Sequence, residues 1–219
     1  MHREGKPIIV MTRFPYESSW GGEESHTLTL AQYFSRRGYE LVFFGSCEVL
    51  LEKFKAMGFQ TRRVWGGRMI VTPWELVKSF LLFPLIRWNM RRHFRSLLKE
   101  RDISALYCLS LNEKLFLTPL AIAHRIPVTW VEHQEIRNWL LRNPWRRLFR
   151  RLSSQVRIIP ISQKNKKLLL EKILVRESSI VDILHGIDLK ALQSGEEQKE
   201  KGLILASNRF IPKKGLMDF

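Results

Sequence analysis

Three units, each begun by a strand, fill the first 67 residues. In the first two, the apolar run of the strand is followed by a segment in which apolar residues recur at helical spacing. The predicted strands and helices are residues 8–11, 23–37, 40–45, 48–57 and 59–65. Glycine closes each unit, at Gly38, at Gly58 and at the Gly66-Gly67 turn. This alternation predicts an α/β fold with a Rossmann-like, doubly wound parallel sheet.

The same alternation continues beyond residue 67. Further strands are predicted at residues 104–109, 127–131, 156–161 and 179–184. Thr72-Pro73 opens a helix that we expect to kink or break at Pro84, one helix is expected over 114–124, and Ser162 can cap another that ends near residue 174.

The C-terminal residues differ in character from those before them. Residues 193–201 are polar and charged, which is typical of an interdomain linker, and a new apolar run begins at 202. We therefore predict a first domain over 1–192, a linker over 193–201, and the first strand of a second α/β domain within 202–219. Because so few residues cannot form a core of their own, we interpret the chain as part of a longer protein.

The net charge restricts the kind of partner. A formal charge of +16 and an isoelectric point near 10.3 favour nucleic acid, an anionic membrane face or phosphorylated substrates. Cys47 and Cys108 lack the spacing of a zinc site or a disulfide framework, which favours a reducing cytoplasm. The N-terminus has no signal-peptide core, and the most apolar stretch is too short to span a bilayer.

Two segments carry much of this charge, from Arg87 to Lys99 and from Arg137 to Arg151. Three interpretations stay open: a cationic face for anionic lipid, RNA binding, or a solvated face with the aromatic residues in the core. The aromatic residues of the second segment are Trp139, Trp145 and Phe149. The first interpretation predicts a cytoplasmic protein that associates peripherally with the membrane.

The loop after the first strand is a candidate ligand-binding edge. Gly21 and Gly22 lie between a predicted strand and a predicted helix, where unpaired amides and the absence of a side chain allow a phosphate or sugar to approach. The spacing is not GxGxxG, so a dinucleotide fingerprint does not apply. Glu23 and Glu24 suit the helix dipole but repel a phosphate, which favours a sugar or acceptor contact for part of this loop.

Four motifs in order along the chain are similar to those of glycosyltransferase family 4, which has the GT-B fold. Gly21-Gly22-Glu23-Glu24 with Leu30-Ala31 resembles the family's opening motif, and Glu132-His133 ends the fifth predicted strand, where the family has its active-site histidine. The third motif has two parts. The family's V-S-x is matched by Pro160-Ile161-Ser162, and its N-G-V-D is matched by His185-Gly186-Ile187-Asp188, with His185 in place of asparagine. Arg209, Lys214 and Gly215 match G-R-x4-K-G, with Asn208 in place of the usual glycine.

The resemblance implies a retaining transfer of a sugar, hexosyltransferase in type, from a nucleotide-sugar donor to a glycan or lipid-linked acceptor, with no metal and no other cofactor required. It further implies a domain that is inactive alone, since the family's donor-binding E-x7-E motif would lie beyond Phe219. Two alternatives stay open: a basic module that binds nucleic acid, which shows no recognisable motif, and a relative that binds nucleotide-sugars without catalysis.

The same resemblance assigns roles to residues. His133 is the candidate catalytic residue. The candidate donor-diphosphate residues are Gly21, Gly22, Arg209 and Lys214, since cations and helix-terminal amides stabilise the charge that grows on a nucleoside diphosphate leaving group. Residues expected near the sugar or acceptor are Glu23, Glu132, Glu135, Ser162 and Gly186. A structural alternative for His133 is an imidazole hydrogen-bonded to Glu132 or Glu135. We expect the other histidines, His26 among them, to be surface or helix residues.

Overall fold

The computed structural model describes residues 6–14, 20–67, 73–133, 144–183 and 186, with side chains described from residue 81 onward in the long helix that begins at Pro73. The strands in these ranges are β1 (Ile8–Arg13), β2 (Glu40–Gly45), β3 (Gln60–Arg63), β4 (Ile103–Cys108), β5 (Val128–Glu132) and β6 (Arg157–Pro160). The α-helices are α1 (Gly22–Arg36), α2 (Glu48–Ala56), α3 (Pro73–Glu100), α4 (Leu111–Phe116), α5 (Thr118–Ala123), α6 (Arg146–Ser153) and α7 (Gln163–Leu168). A π-helical turn, Leu169–Ile173, continues α7, and a 3-10 turn covers Glu177–Ser179.

The strands form one parallel sheet in the order β3-β2-β1-β4-β5-β6. The chain builds outward from β1 to β3 and then returns to the other side of β1 to add β4, β5 and β6. This order is that of the doubly wound dinucleotide-binding fold, and it confirms the predicted fold class. The chain divides into two compact units, Met1–Leu184 and His185–Phe219, and all of these elements belong to the first. The proposed linker over 193–201 and the strand at 202–206 lie outside the described residues.

Close contact between β1 and β2 requires a glycine at the end of β2. Gly45 is paired with Arg13, and a Cβ atom built on Gly45 would lie 2.1 Å from the Arg13 carbonyl oxygen. That oxygen already accepts a hydrogen bond from the Ser46 amide at 3.1 Å. Because a backbone carbonyl cannot move aside as a side chain can, position 45 has no room for a side chain.

Apolar layers cover both faces of the sheet. Side chains alternate between the faces along each strand, so that Ile9 and Met11 belong to one layer and Ile8 and Val10 to the other. Helices α1 and α2 pack on the first layer through Leu28, Ala31, Leu50, Leu51 and Phe54. Helices α3 to α6 and the π-helical turn pack on the second, with Met90, Phe94, Trp130 and Phe149 fully buried.

Strand β3 forms one edge of the sheet, and β6 forms the other. Strand β3 is four residues long, with sequence Gln-Thr-Arg-Arg, and its side chains are largely exposed. Arg62 donates to both carboxylate oxygens of Glu100 at the end of α3, at 2.9 and 2.7 Å. Arg63 forms an ion pair with Glu48 at the start of α2. This strand therefore carries charge at the border of the sheet.

Three expectations about elements are wrong in the described residues. The strand predicted at 179–184 is a 3-10 turn followed by one bridge between Ile158 and Ile180. Of the kink or break expected at Pro84, the break is wrong, because α3 continues through this residue, whereas the kink stays a prediction. Pro84 lies on the exposed side of the helix, where water can hydrate the carbonyl freed one turn earlier. The helix predicted over 114–124 is two short helices, because Pro119 falls in the first turn of α5.

The aromatic residues of the second basic segment serve the core. Phe149 is fully buried, and Trp145 stacks on Phe83 of α3 with ring centroids 3.8 Å apart and planes 5° apart. Trp139 lies outside the described residues. For Phe149 and Trp145, packing thus accounts for the aromatic character of the segment. In the part of the chain that the structure describes, we find no helix with the length and apolar character needed to cross a membrane.

Candidate active site

The carboxyl ends of β1 and β4 form the point at which the sheet changes direction. Strand β1 pairs with β2 on one side and with β4 on the other, so the chain leaves these two neighbouring strands toward opposite halves of the sheet. Helix α1 follows β1, and α4 follows β4. Open α/β sheets bind ligands in the crevice at such a point, and the candidate site lies there.

The predicted glycine pair forms the N-terminus of α1. Gly21 is the N-cap, with extended backbone (φ −163°, ψ −172°), and Gly22 is the first helical residue. A Cβ atom built on Gly22 would meet no heavy atom of the described chain within 4 Å. Packing therefore does not explain glycine at position 22. A helix terminus without a side-chain cap suits an anionic or hydroxyl-rich ligand.

A buried arginine at the end of β1 holds the two glutamates of this helix terminus. Arg13 forms ion pairs with Glu23 and with Glu24, the latter at 2.9 Å. The side chains of Arg13 and Glu24 are only 6% and 4% exposed. Since one guanidinium offsets part of the charge of two carboxylates, the repulsion that we expected between these glutamates and a phosphate is reduced.

A second buried ion pair fixes the end of β5. Lys114 of α4 donates to Glu132 Oε1 at 2.8 Å and to the Val131 carbonyl oxygen at 2.9 Å, and both charged side chains are 3% exposed. On the other side, Asn165 of α7 donates to the Glu132 carbonyl oxygen at 3.4 Å. The backbone that leads into His133 is thus held by two helices, and the Glu132 carboxylate is bonded to Lys114.

Two imidazole rings meet beside this strand end. His133, the residue after β5, lies 5.3 Å from His26 of α1 between ring centroids, with the planes at 69°. Both residues are half-buried. His26 is one helical turn after Gly22, on the same face of α1. The structure therefore brings the glycine terminus and the predicted catalytic histidine together through a residue to which sequence analysis gave no role.

Glu113 is fully buried beneath this edge, at the start of α4. Its Oε1 atom accepts hydrogen bonds from the amides of Leu109, at 3.2 Å, and Ser110. Burial raises the pKa of the Glu113 carboxyl above its ordinary value of 4.5, although the Ser110 hydrogen bond and the charges of Lys114 and Arg13 act against this. The folded protein therefore binds a proton at Glu113 more tightly than the unfolded chain does.

This shift predicts how stability varies with pH. Because the folded pKa is raised, the stabilisation from Glu113 is complete below the ordinary carboxyl pKa and is lost as pH rises through the folded pKa. Glu113→Gln keeps an acceptor for the two amides and does not titrate. We expect the unfolding free energy of the variant, relative to wild type, to rise as pH is raised above about 4.5. Urea unfolding at a series of pH values measures this, and parallel pH profiles would contradict it.

The other predicted site residues are placed as follows. Ser162 is the N-cap of α7, and its Oγ accepts a hydrogen bond from the Asn165 amide at 3.2 Å, as the cap prediction requires. Gly186 is exposed. Glu135, Arg209 and Lys214 lie outside the described residues, so their roles remain predictions.

Three charged residues of this edge have no predicted role in the sequence: Arg13, Lys114 and Glu113. Glu113 had a recognisable pattern, because Ser110 and Glu113 have the spacing of a capping box directly after a strand. Arg13 extends the first apolar run, where a cation at the end of a buried strand could have indicated a ligand edge. Lys114 had no such pattern, since a lysine in a helix is usually exposed to solvent.

The comparisons with known proteins agree with this fold. The family model described as Glycosyltransferase Family 4 matches residues 20–191, well over half of the chain. No curated protein gives a significant match. A glycosyltransferase from Rickettsia africae superposes with a TM-score of 0.63 at 15% identity, covering 86% of this chain and 45% of its own length.

Two further solved structures share the fold. HepE of Anabaena, solved with UDP-glucose, has a TM-score of 0.61 at 12% identity over 86% of this chain and 46% of its own. The lipopolysaccharide outer core galactosyltransferase WaaB, in its apo form, has a TM-score of 0.58 at 14% identity, over 88% and 50%. The chain thus spans about half the length of these structures. Its six-stranded sheet matches that of GT-B glycosyltransferases, and the match over residues 20–191 shows that the chain belongs to glycosyltransferase family 4.

Proposed function

We propose that this chain is the acceptor-side domain of a retaining glycosyltransferase, hexosyltransferase in type, that acts at the cytoplasmic face of the membrane. A nucleotide-sugar donates its sugar to a hydroxyl of a glycan or lipid-linked acceptor. The bond between the anomeric carbon and the diphosphate oxygen breaks, and the diphosphate takes the electron pair. The acceptor oxygen forms the new glycosidic bond on the same face of the sugar, and its proton passes to the departing diphosphate.

The observation that supports this proposal best is the meeting of His26 and His133 beside the N-terminus of α1. This contact links the end of β5 to the N-terminus of α1, whose N-cap is Gly21. Both lie at the crevice where α/β sheets bind ligands. We propose that His133 orients a hydroxyl of the transferred sugar by a hydrogen bond. We propose that the Gly22 amide binds donor phosphate or acceptor. We likewise propose that Arg209 and Lys214 bind the diphosphate.

The donor class is supported by the neighbouring folds. HepE has been solved with UDP and with UDP-glucose, and the high positive charge of this chain suits a diphosphate leaving group. Charge that develops on the diphosphate is stabilised here by cations and amides, so we propose that the reaction requires no metal and no other cofactor. A lipid-linked acceptor would require the domain to reach the surface of the membrane.

A turnover assay tests the proposal. We expect a protein in which this chain continues through a second α/β domain to release nucleoside diphosphate from a nucleotide-sugar in an acceptor-dependent way. The 219 residues alone should show no turnover, since Arg209 and Lys214 account for few of the donor contacts that a second domain would add. The anomeric configuration of the product, determined by NMR, tests retention.

Two results would each contradict one part of the proposed function. Turnover by the 219 residues alone would contradict the need for a second domain. Failure of the two-domain protein with every nucleotide-sugar of a broad panel, while it still binds nucleoside diphosphate, would favour a relative that binds without catalysis.

A further inference from the structure

One exposed stripe runs along most of α3. Its members recur at spacings of four and three residues, which places them on one side of the helix. They are Leu81, Leu85, Trp88, Arg92, Arg95 and Lys99, here called the α3 stripe. All six are exposed, with Leu81 at 75%, Leu85 at 50% and Trp88 at 55%. The stripe is apolar in its N-terminal half and cationic in its C-terminal half.

In the described part of the chain, no acidic side chain forms an ion pair with the cationic half of the stripe. Residues 76–99 contain no aspartate or glutamate. Among the described residues, none of the ion pairs includes Arg92, Arg95 or Lys99, and Glu100 at the helix end binds Arg62. Arg92 lies over the ring of Trp88, 5.2 Å from its centroid. Three cations thus stand together in solvent beside an exposed aromatic ring.

The cationic face predicted for α3 is confirmed only in part. The spacing of four residues predicts one cationic face that holds Arg87, Arg91, Arg95 and Lys99. Arg91 is instead half-buried, and its Nε donates to the Phe116 carbonyl oxygen at 3.3 Å. Burial, together with repulsion from Arg87 and Arg95, lowers the pKa of Arg91. The crowding of positive charge here favours an anionic partner.

The apolar half lies toward the end of the sheet that holds the candidate site. Asn89 donates to the Trp65 carbonyl oxygen at 2.7 Å, and Ile86 packs against Gly67. Both partners follow the carboxyl end of β3, so these turns of α3 are level with the carboxyl edge of the sheet. Leu81 precedes Ile86 by five residues. It therefore lies about 7 Å further along the helix, beyond the carboxyl edge of the sheet. His133 follows β5 at the same edge.

We propose that the α3 stripe docks this protein on an anionic lipid bilayer. Leu81, Leu85 and Trp88 lie at the boundary between headgroups and acyl chains, and Arg92, Arg95 and Lys99 bind lipid phosphates. A bilayer offers phosphates at its surface and an apolar interior beneath them, in the order in which the stripe presents cations and apolar side chains. Tryptophan beside arginine is well suited to the headgroup region.

Other partners fit the stripe less well. Nucleic acid would bind the cations but would leave Leu81 and Leu85 in water. A second copy of the chain, related by a two-fold axis through the middle of the stripe, would place each apolar half against a cationic half. An axis through the apolar half would pair the two apolar halves and leave Arg92, Arg95 and Lys99 without an anion. The bilayer is the partner that uses both halves.

Docking in this orientation has a consequence for the acceptor. A tilted α3, with its apolar half deeper in the bilayer than its cationic half, brings the carboxyl edge of the sheet nearer to the membrane than the opposite edge. The acceptor class then becomes a lipid-linked glycan. The docking itself does not depend on sugar transfer, whereas this assignment of the acceptor rests on the proposed function.

Vesicle co-sedimentation of the 219-residue chain tests the docking without donor or acceptor. We expect binding to phosphatidylcholine vesicles that contain phosphatidylglycerol, weakening with salt, and little binding to phosphatidylcholine alone. Arg92→Glu with Arg95→Glu should lower the partition coefficient by about 25-fold or more, at roughly fivefold per cation removed. Leu81→Ser with Leu85→Ser should lower it by about tenfold.

A matched control separates the stripe from total charge. Arg36→Glu with Arg37→Glu reverses two exposed cations on α1, with the same change in net charge, and should alter binding far less. Since all the altered side chains are exposed, circular dichroism should show that each variant is folded.

Four results would overturn the proposal. They are the absence of binding to anionic vesicles, equal loss of binding in the stripe variants and the α1 control, preference for an oligonucleotide at equal ionic strength, and a stripe-dependent dimer in sedimentation. A chain that binds vesicles but never transfers sugar in its two-domain form would retain the docking and lose the proposed function.

Discussion

Replacing Lys114 by methionine should lower the free energy of unfolding by about 3–5 kcal/mol, because it leaves a buried carboxylate without its partner. The Glu132 side chain is 3% exposed, and Lys114 Nζ is 2.8 Å from Oε1. Methionine replaces the aliphatic stem of lysine but neither the charge nor the hydrogen bond to the Val131 carbonyl oxygen. Urea unfolding monitored by circular dichroism measures the difference.

The chain offers a matched control for this experiment. Lys167 and Glu171 form an ion pair at 3.8 Å, with side chains 70% and 54% exposed. Lys167→Met should cost less than about 0.5 kcal/mol, since solvent screens an exposed pair. Lys114→Met combined with Glu132→Leu should recover part of the loss, because no buried charge is left behind. Equal losses at positions 114 and 167 would refute the structural role of the buried pair.

Replacing His133 by alanine should lower kcat/KM of the two-domain enzyme by about 10²–10³-fold, as removal of a donor that acts in the transition state commonly does. His133 follows β5 at the candidate site and is half-buried, so its loss leaves the core intact. The assay is acceptor-dependent release of nucleoside diphosphate, compared with thermal unfolding of the same variant.

His124 provides the comparison for His133. His124 is exposed at the C-terminal end of α5 and precedes β5 in the sequence. Its main-chain amide donates hydrogen bonds to the carbonyl oxygens of Leu120 and Ala121. His124→Ala should therefore keep wild-type kcat/KM. Full activity in His133→Ala would remove His133 from the catalytic machinery, whereas a matching loss of thermal stability in that variant would point to a structural role.

Local sequence patterns predicted much of the fold because they are set by backbone geometry. Gly38 and Gly58 adopt φ values of +87° and +75°, which side chains disfavour, so each glycine indicated a helix end. The strand at 40–45 was predicted to the residue. The strand at 179–184 failed for a tertiary reason, since whether an apolar run extends a sheet depends on a partner edge far away in sequence.

The candidate site was only partly predictable. Gly21, Gly22 and His133 could be located because each follows a predicted strand, and the carboxyl ends of parallel strands share one edge. The pairs Arg13–Glu24 and Lys114–Glu132 could not, because a charged residue in sequence looks the same whether it is buried with a partner or solvated. Likewise, only three-dimensional structure could show that His26 meets His133.

The charged outer strand of the sheet has a consequence for assembly. Strand β3 is short, and its two arginines are tied to Glu100 and Glu48 on the flanking helices. Another extended chain that added to this border would have to pair with Gln60–Arg63 and crowd those cations, which makes β3 a poor template for strand addition. The sheet is thereby protected at this border from open-ended growth into aggregates, even in a chain that is 45% hydrophobic.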